Sequence, residues 1–135
     1  MDPAEAVAFF RTNHRAVIAT PRVDGTPALT PVTVGVDDSD RLIISTTESS
    51  AKVTNLRRDP RIWICGLNDG FFGAWVRADG PVEIVSLPDA LEPLVDYYRG
   101  ISGEHPDWDD YRAAMVRDGR CLLRVTVTAA GPRSS

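Results

Sequence analysis

The chain has 135 residues, 43% hydrophobic and 25% charged, with a formal net charge of −4 and a pI near 5.1. This length suits one domain, and the acidic balance argues against a general nucleic-acid-binding surface. No apolar run is long enough to span a membrane, and the acidic start lacks the basic region of a secretory signal, so we expect a cytoplasmic protein without membrane contact.

The cysteines and histidines indicate neither a metal site nor a disulfide. Cys65 and Cys121 each lie inside an apolar, strand-like stretch, which predicts buried free thiols. His14 and His105 are isolated in the sequence, so no metal-ligand spacing occurs. We therefore predict no metal ligands.

The first part of the chain predicts a helix followed by a hairpin. Asp2 and Pro3 supply an N-cap and a first-position proline for a helix that reaches about Arg11. A short apolar strand at 16–20 is followed by the turn residues Asp24 and Gly25. The return strand is predicted to span 28–36.

Four more strands and three helices are predicted beyond the hairpin. Asp59 and Pro60 end the second helix, and Gly100 fits the end of the third. We interpret 73–85 as one bent strand with a bulge at 79–81, with a hairpin as the alternative. The predicted helices are 50–58, 88–98 and 106–117, and the predicted strands are 41–46, 62–67, 73–85 and 121–127. Only 131–135 is predicted to be a loose tail, which leaves 1–130 as a single domain.

This pattern predicts a mainly β, α+β fold in which six antiparallel strands close a small barrel with short helical covers. Six strands can close only a narrow barrel filled by its own side chains. We therefore expect a ligand to bind outside the barrel or between subunits.

Lys52 is the only lysine, since the other fourteen basic residues are arginines. It lies at the start of the second helix, directly after the hydroxyl-rich stretch 45–50. Helix N-termini attract phosphate through unpaired N–H groups and a partial positive charge, and a lysine adds a compact cation. The pattern indicates a phosphate site. The alternative is a solvated lysine on an ordinary helix capped by Ser49 or Ser50.

Most side-chain-driven chemistries lack a signature here. The chain has no Gly-x-Ser-x-Gly elbow, no Walker sequence and no Gly-x-Gly-x-x-Gly fingerprint. The acidic residues Asp107, Asp109 and Asp110 lie at a helix start, where the helix dipole explains them. An anion site with few acid or base residues is typical of a protein whose cofactor carries the reactive atom, and no catalytic side chain is identified.

The chain resembles the split β-barrel flavin and deazaflavin oxidoreductases, relatives of pyridoxamine phosphate oxidase. It is most similar to the actinobacterial branch that uses coenzyme F-420. The matching segments are Ala19-Thr20, Asp24-Gly25-Thr26-Pro27, Leu29-Thr30-Pro31-Val32, Ser45-Thr46-Thr47, Lys52, residues 55–61, residues 103–112 and Met115-Val116.

The resemblance implies a six-stranded split barrel that forms a homodimer, with the cofactor groove at the subunit boundary. Asn55 would lie near Lys52, whereas Arg58 would point elsewhere and either solvate the helix or meet the acidic tail of the coenzyme. The implied cofactor residues are Ser45, Thr46, Thr47, Ser50 and Lys52 for the phosphate, the backbone of Thr30, Pro31 and Val32 for the deazaflavin ring, and also Asn55 and Arg58.

One departure from the family pattern bears on the choice of cofactor. FMN-binding members usually carry basic residues on the second strand and an Arg-Lys pair at the helix start. Here 28–36 has no basic residue, and Ser50 and Ala51 precede the single Lys52. This favours the deazaflavin coenzyme F-420 over FMN.

We accordingly expect hydride transfer between the reduced deazaflavin and a small unsaturated or quinone-like molecule, mainly through positioning of the ring. Trp75 is either a wall of the substrate pocket or a core residue. His105 is interpreted as structural, and Tyr98, Trp108 and Tyr111 as packing residues. The alternative functions are an FMN-dependent oxidase and a non-catalytic coenzyme-binding or storage protein.

Overall fold

The computed structural model describes residues 1–132, which form four helices and eight strands. The strands are β1 (Arg15–Pro21), β2 (Pro27–Thr33), β3 (Gly35–Val36), β4 (Leu42–Thr47), β5 (Arg61–Leu67), β6 (Trp75–Val85), β7 (Arg120–Val125) and β8 (Ala129–Gly131). The helices are α1 (Pro3–Phe10), α2 (Ala51–Arg58), α3 (Leu91–Ser102) and α4 (Trp108–Arg117).

Seven strands form one antiparallel sheet in the order β2-β1-β5-β6-β7-β4-β3, and β8 pairs with β6 outside this path. The two ends of this order, β2 and β3, are consecutive in the chain. The sheet therefore curls into a half-barrel, which confirms the mainly antiparallel β prediction.

The predicted number of six strands is wrong. The predicted strand 28–36 is interrupted at Val34. The Val34 N–H donates to the His14 carbonyl (2.7 Å), which is the last bond in the register of β1, and Gly35 and Val36 then pair with β4 as β3. An additional strand, β8, follows β7, and its Gly131 pairs with Arg77 of β6. Gly131 was predicted to begin the tail. The rest of that tail, 133–135, lies outside the described residues.

The interpretation of β6 as one strand rather than a hairpin is confirmed, but the predicted bulge at 79–81 is wrong, because the register with β5 runs without a shift from Trp75 to Pro81. Its first seven residues pair with β5, and its last four, from Val82 onward, pair with β7. At Gly80, near this change of partner, a Cβ atom would lie 1.8 Å from the carbonyl oxygen of Thr126. Only glycine therefore allows the two backbones to approach this closely.

The core lies on both sides of the curled sheet. Inside the curl, α1 and α2 contribute Phe10, Val53 and Leu56, each at most 1% exposed. Burial of a side chain of this kind stabilises the fold by about 1.5–3 kcal/mol. On the outer face of β4 and β7, a second cluster forms under α3 and α4 around Leu94 and Leu122.

The helix boundaries follow local capping. Asp2 caps α1 through the Ala4 N–H, as predicted. Helix α3 continues through Gly100, which was predicted to end it, and stops at Gly103 with a φ of 80°. Asp107 caps α4, so that helix begins after Pro106. Among residues 1–132 we find no helix with the length and apolar character needed to cross a bilayer.

Candidate functional site

The strands β2 and β4 approach each other without pairing. β2 pairs only with β1, and β4 pairs with β3 only at Leu42 and Ile43. The edges of β2 at 29–33 and of β4 at 44–47 thus face each other as unpaired strand edges. We call the gap between them the split.

The register of β2 determines which of its backbone groups face the split. Antiparallel partners alternate between hydrogen-bonded and non-hydrogen-bonded pairs, and the bond from Val34 to His14 fixes this alternation. Thr30 and Val32 therefore exchange their backbone hydrogen bonds with β1, and their side chains are half-buried. The residues whose backbone groups point to the split are Leu29, Pro31 and Thr33.

Of the predicted ring-binding residues, Pro31 alone directs its carbonyl into the split. A proline fits this position because its missing N–H would have pointed away from β1. The backbone groups of Thr30 and Val32, also predicted for this role, are used within the sheet. Leu29 was not predicted as a site residue, although it belongs to one of the matching segments. Its side chain lies on the outer face of the sheet and is 67% exposed.

The register of β4 is fixed at both ends. Asp37 N–H donates to the Arg41 carbonyl (2.9 Å), and Glu48 N–H donates to the Gly119 carbonyl (2.8 Å). It follows that Ser45 and Thr47 direct their backbone groups toward the split. The Thr47 carbonyl accepts a hydrogen bond from Ser50 N–H (3.1 Å). At this end of β4, the backbone donor that faces the split is therefore the Thr47 N–H.

Tyr97 of α3 connects the two edges and was not among the predicted site residues. Its hydroxyl donates to the Thr33 carbonyl (3.0 Å), and burial raises its pKa, an effect opposed by a hydrogen bond with the Ser45 backbone. The sequence signal was its spacing three residues after Leu94, which places both on one helix face.

Ser50, rather than Ser49, caps α2. Its Oγ accepts from Val53 N–H (3.4 Å) and lies 3.4 Å from Thr46 Oγ1. Thr46 is only 3% exposed, so its hydroxyl is directed to Ser50 and not to a ligand. The predicted phosphate residues are therefore adjacent in space, but Thr46 and Ser50 act mainly on each other and on the helix.

Lys52 lies in the first turn of α2 and is half-buried. Its ammonium has no hydrogen-bond or carboxylate partner among the described residues. Arg57 on the same helix is instead paired with Glu48 at 2.8 Å. Lys52 is thus a cation available for an external anion.

Asn55 and Arg58 are engaged within the protein. Asn55 is 8% exposed, and its Nδ2 donates to Thr20 Oγ1 (3.1 Å). Arg58 donates to the Pro21 carbonyl (2.6 Å) and to Asn55 Oδ1 (3.1 Å). These contacts attach α2 to the end of β1.

Trp75 begins β6 and is 44% exposed, so it is not a core residue. It pairs with Leu67, which pairs with Arg15, which in turn pairs with Thr33. The indole therefore lies on the outer face of the sheet, in the cross-strand row that ends at the split.

The segment around His105 forms an aromatic cluster between α3 and α4. The rings of Tyr98, His105, Trp108 and Tyr111 have centroid separations of 5.0–5.7 Å. His105 Nδ1 accepts from Asp107 N–H (2.9 Å), which holds the loop before α4. The cluster stabilises the packing of the two helices.

A cavity of about 450 Å³ lies between α3 and the β3–β4 turn, lined in part by Asp37, Arg41 and Arg99. None of the predicted site residues lines it. The described residues contain no group of three or more His, Cys, Asp or Glu side chains suited to a metal ion.

Comparison with known proteins identifies the family. The sequence matches the pyridoxamine 5'-phosphate oxidase family over residues 2–132. A conserved hypothetical protein from Mycobacterium tuberculosis has a TM-score of 0.78 at 26% identity, covering 100% of this chain and 91% of that one.

Two further structures share the fold at lower identity. An F420 reductase has a TM-score of 0.71 at 20% identity, covering 92% of this chain and 94% of that one. A pyridoxamine 5'-phosphate oxidase-related, FMN-binding protein from Nostoc punctiforme has a TM-score of 0.62 at 18% identity, covering 95% and 78%. With the family match extending over nearly the whole chain, and with this curled sheet and its split, the chain belongs to the pyridoxamine 5'-phosphate oxidase family.

Proposed function

We propose that this protein is an oxidoreductase that uses the deazaflavin coenzyme F-420 and a small organic acceptor. The observation that carries the proposal is the distribution of charge at the split. Among the described residues Lys52 has no ionic or hydrogen-bond partner, and it lies in the first turn of the helix that follows β4, while β2 contributes no basic side chain. A site of this kind can take one phosphate and leave room for a longer acidic tail.

The residues at the split divide into those that would bind the phosphate of the coenzyme and those that would border its ring. Lys52 and the Thr47 N–H would bind the phosphate, since an ammonium and a backbone donor suit its oxygens. The Ser45 edge and the backbone of Leu29 and Pro31 would border the ring. When bound, the coenzyme supplies the hydride.

The chain itself would act by positioning and by excluding water. Among the residues described, Tyr97 is the only titratable side chain that touches both edges of the split. Burial raises its pKa, so it stays a neutral phenol near pH 7. It cannot serve as a base there. Trp75 would form a wall for the acceptor, and the proton that completes reduction would come from solvent.

We also propose a homodimer, and the apolar outer face of the sheet supports it. The positions that alternate with the buried ones on β1, β2, β5 and β6 point away from the core. Their apolar members are Val17, Ala19, Leu29, Pro31, Trp63, Cys65, Leu67 and Trp75. Leu29 and Trp63 are 67% and 38% exposed. A second copy on this face would lie beside the split, because β2 borders both.

The test is a titration of the wild type, Lys52→Ala and Arg117→Ala with oxidised F-420 and with FMN, followed by tryptophan fluorescence. Arg117 is the matched control, as an exposed cation on α4. A charge-assisted hydrogen bond contributes about 1.5–3 kcal/mol, so Lys52→Ala should weaken F-420 binding roughly 10- to 100-fold.

Tighter binding of FMN than of F-420 by the wild type would favour an FMN-dependent oxidase and overturn the proposal. Equal affinities of wild type and Lys52→Ala for F-420 would remove Lys52 from the site. Tight F-420 binding without turnover of any acceptor in a reductase screen would indicate a storage protein.

A further inference from the structure

Arg120 has no counter-charge among residues 1–132. It begins β7 and is half-buried, and its Nε is buried without a hydrogen-bond partner. No carboxylate of the described residues lies within 4 Å of it. No aromatic ring among residues 1–132 stacks on it either.

The second arginine of β7 provides the contrast. Arg124 also has a buried Nε, but Glu83 lies across the strand from it, 3.5 Å from its NH1 atom. The partner of Arg120 in β4 is Thr47, which carries no charge. A partly desolvated guanidinium that lacks an anion is unfavourable, and a bound ligand could supply the missing charge.

The position of Arg120 places it beside the split. Thr47 and Arg120 form a non-hydrogen-bonded pair, the kind in which cross-strand side chains are closest. The positive charge of Arg120 also opposes the rise in the pKa of Tyr97 and of Tyr111, so the guanidinium lies near the tyrosines of α3 and α4. Arg120 is therefore next to both the Thr47 edge and the Tyr97 end of the split.

We propose that Arg120 binds a carboxylate of the ligand that occupies the split, as a second cationic contact beside the phosphate site at Lys52. A guanidinium matches the planar, two-oxygen geometry of a carboxylate better than an ammonium does. This inference rests on the proposed function, because it assigns Arg120 to the acidic tail of the deazaflavin. FMN, which has a phosphate but no carboxylate, would not use it.

The experiment compares Arg120→Gln and Arg120→Lys with the control Arg117→Gln. Each is titrated with F-420 and with the deazaflavin chromophore that lacks the phosphate and the tail. Arg120→Gln should weaken F-420 binding about 10- to 100-fold and leave the chromophore's affinity unchanged. Arg120→Lys should recover only part of the loss, and the control should match the wild type.

The melting temperature of the ligand-free protein gives an independent readout. Because Arg120→Gln removes an uncompensated charge, its melting temperature should be equal to or above that of the wild type. A lower melting temperature with equal weakening of F-420 and chromophore binding would indicate a structural arginine and overturn the inference. Unchanged F-420 affinity would overturn it as well.

A triglutamate peptide separates this inference from the proposed function. Millimolar triglutamate should raise the melting temperature of the wild type but not that of Arg120→Gln. If the wild type binds no F-420 while this difference persists, the proposed cofactor is wrong and the carboxylate site stands. If triglutamate stabilises both proteins equally, the carboxylate site is refuted.

Discussion

Replacing Asn55 with alanine tests whether this residue holds the fold or the cofactor. Its side chain is 8% exposed and makes two hydrogen bonds, one to the Thr20 hydroxyl and one from Arg58. Thr20 is 1% exposed, so water cannot easily replace the lost donor. We expect Asn55→Ala to loosen the attachment of α2 to β1.

The size of the effect follows from these contacts. The buried bond to Thr20 and the partly buried bond from Arg58 together contribute about 2–3 kcal/mol to the free energy of unfolding, and the better helix propensity of alanine returns roughly 0.5 kcal/mol. The net loss should be about 2 kcal/mol. For a domain of this size, that corresponds to a fall in melting temperature of roughly 6–10 °C.

Urea unfolding of Asn55→Ala, Thr20→Val and the double variant measures how much stability each protein loses. The coupling energy between Asn55 and Thr20, obtained from this double-mutant cycle, should be about 1 kcal/mol. Thr54→Ala, at an exposed position on the same helix, should change stability by less than about 0.5 kcal/mol. An Asn55→Ala protein as stable as the wild type, but with weakened F-420 binding, would refute the structural role and make Asn55 a cofactor residue.

Three further outcomes are expected. Trp75→Ala should raise the KM for the acceptor while the melting temperature stays nearly constant, because the indole is 44% exposed; a large stability loss in calorimetry would contradict the pocket-wall assignment. Burial raises the pKa of Cys121 to about 12, so a thiol reagent at pH 8 should leave Cys121 unmodified in the native protein and modify it after unfolding. Native labelling of Cys121 would show that the core is open. Hydrogen bonds from the Ser86 hydroxyl and from Arg57 lower the pKa of Glu48 in the folded protein. The ionised Glu48 carboxylate therefore stabilises the fold above its unfolded-state pKa. This stabilisation is lost as the pH falls through the lower folded-state pKa. The free energy of unfolding of Glu48→Gln should therefore depend less on pH below pH 4.5, and at pH 7 it should be lower than that of the wild type by less than about 1 kcal/mol. An acid-unfolding curve identical to that of the wild type would argue against this linkage.

Local signals in the sequence predicted the features that depend on neighbours in the chain. Asp2 and Ser50 were identified as possible helix caps because capping is a short-range hydrogen bond. Lys52 was identified because its position after a hydroxyl-rich strand end is visible in the sequence. Residues 75–85 form one strand rather than a hairpin, as predicted, although Asp79, Gly80 and Pro81 are typical turn residues.

Features that depend on pairing between distant residues were missed. The alternation of Val32, Val34 and Val36 continues through the break between β2 and β3, where the chain changes its pairing partner from β1 to β4. The roles of Tyr97 and Arg120 likewise depend on which strands face the split. Periodicity gives the face of a strand but not its partner.

The register of the split sets a rule for how this chain can change. On β2 and on β4, the backbone groups that face the split belong to odd-numbered residues, from Leu29 to Thr33 and at Ser45 and Thr47. Inserting one residue into either strand would turn these backbone groups away from the split and turn the groups that are now bonded to β1 or β7 toward it. The same insertion would move core side chains to the outer face. Length changes within these two strands should therefore be tolerated in steps of two residues. The turn at 37–40 can vary by single residues without altering the backbone groups that face the split.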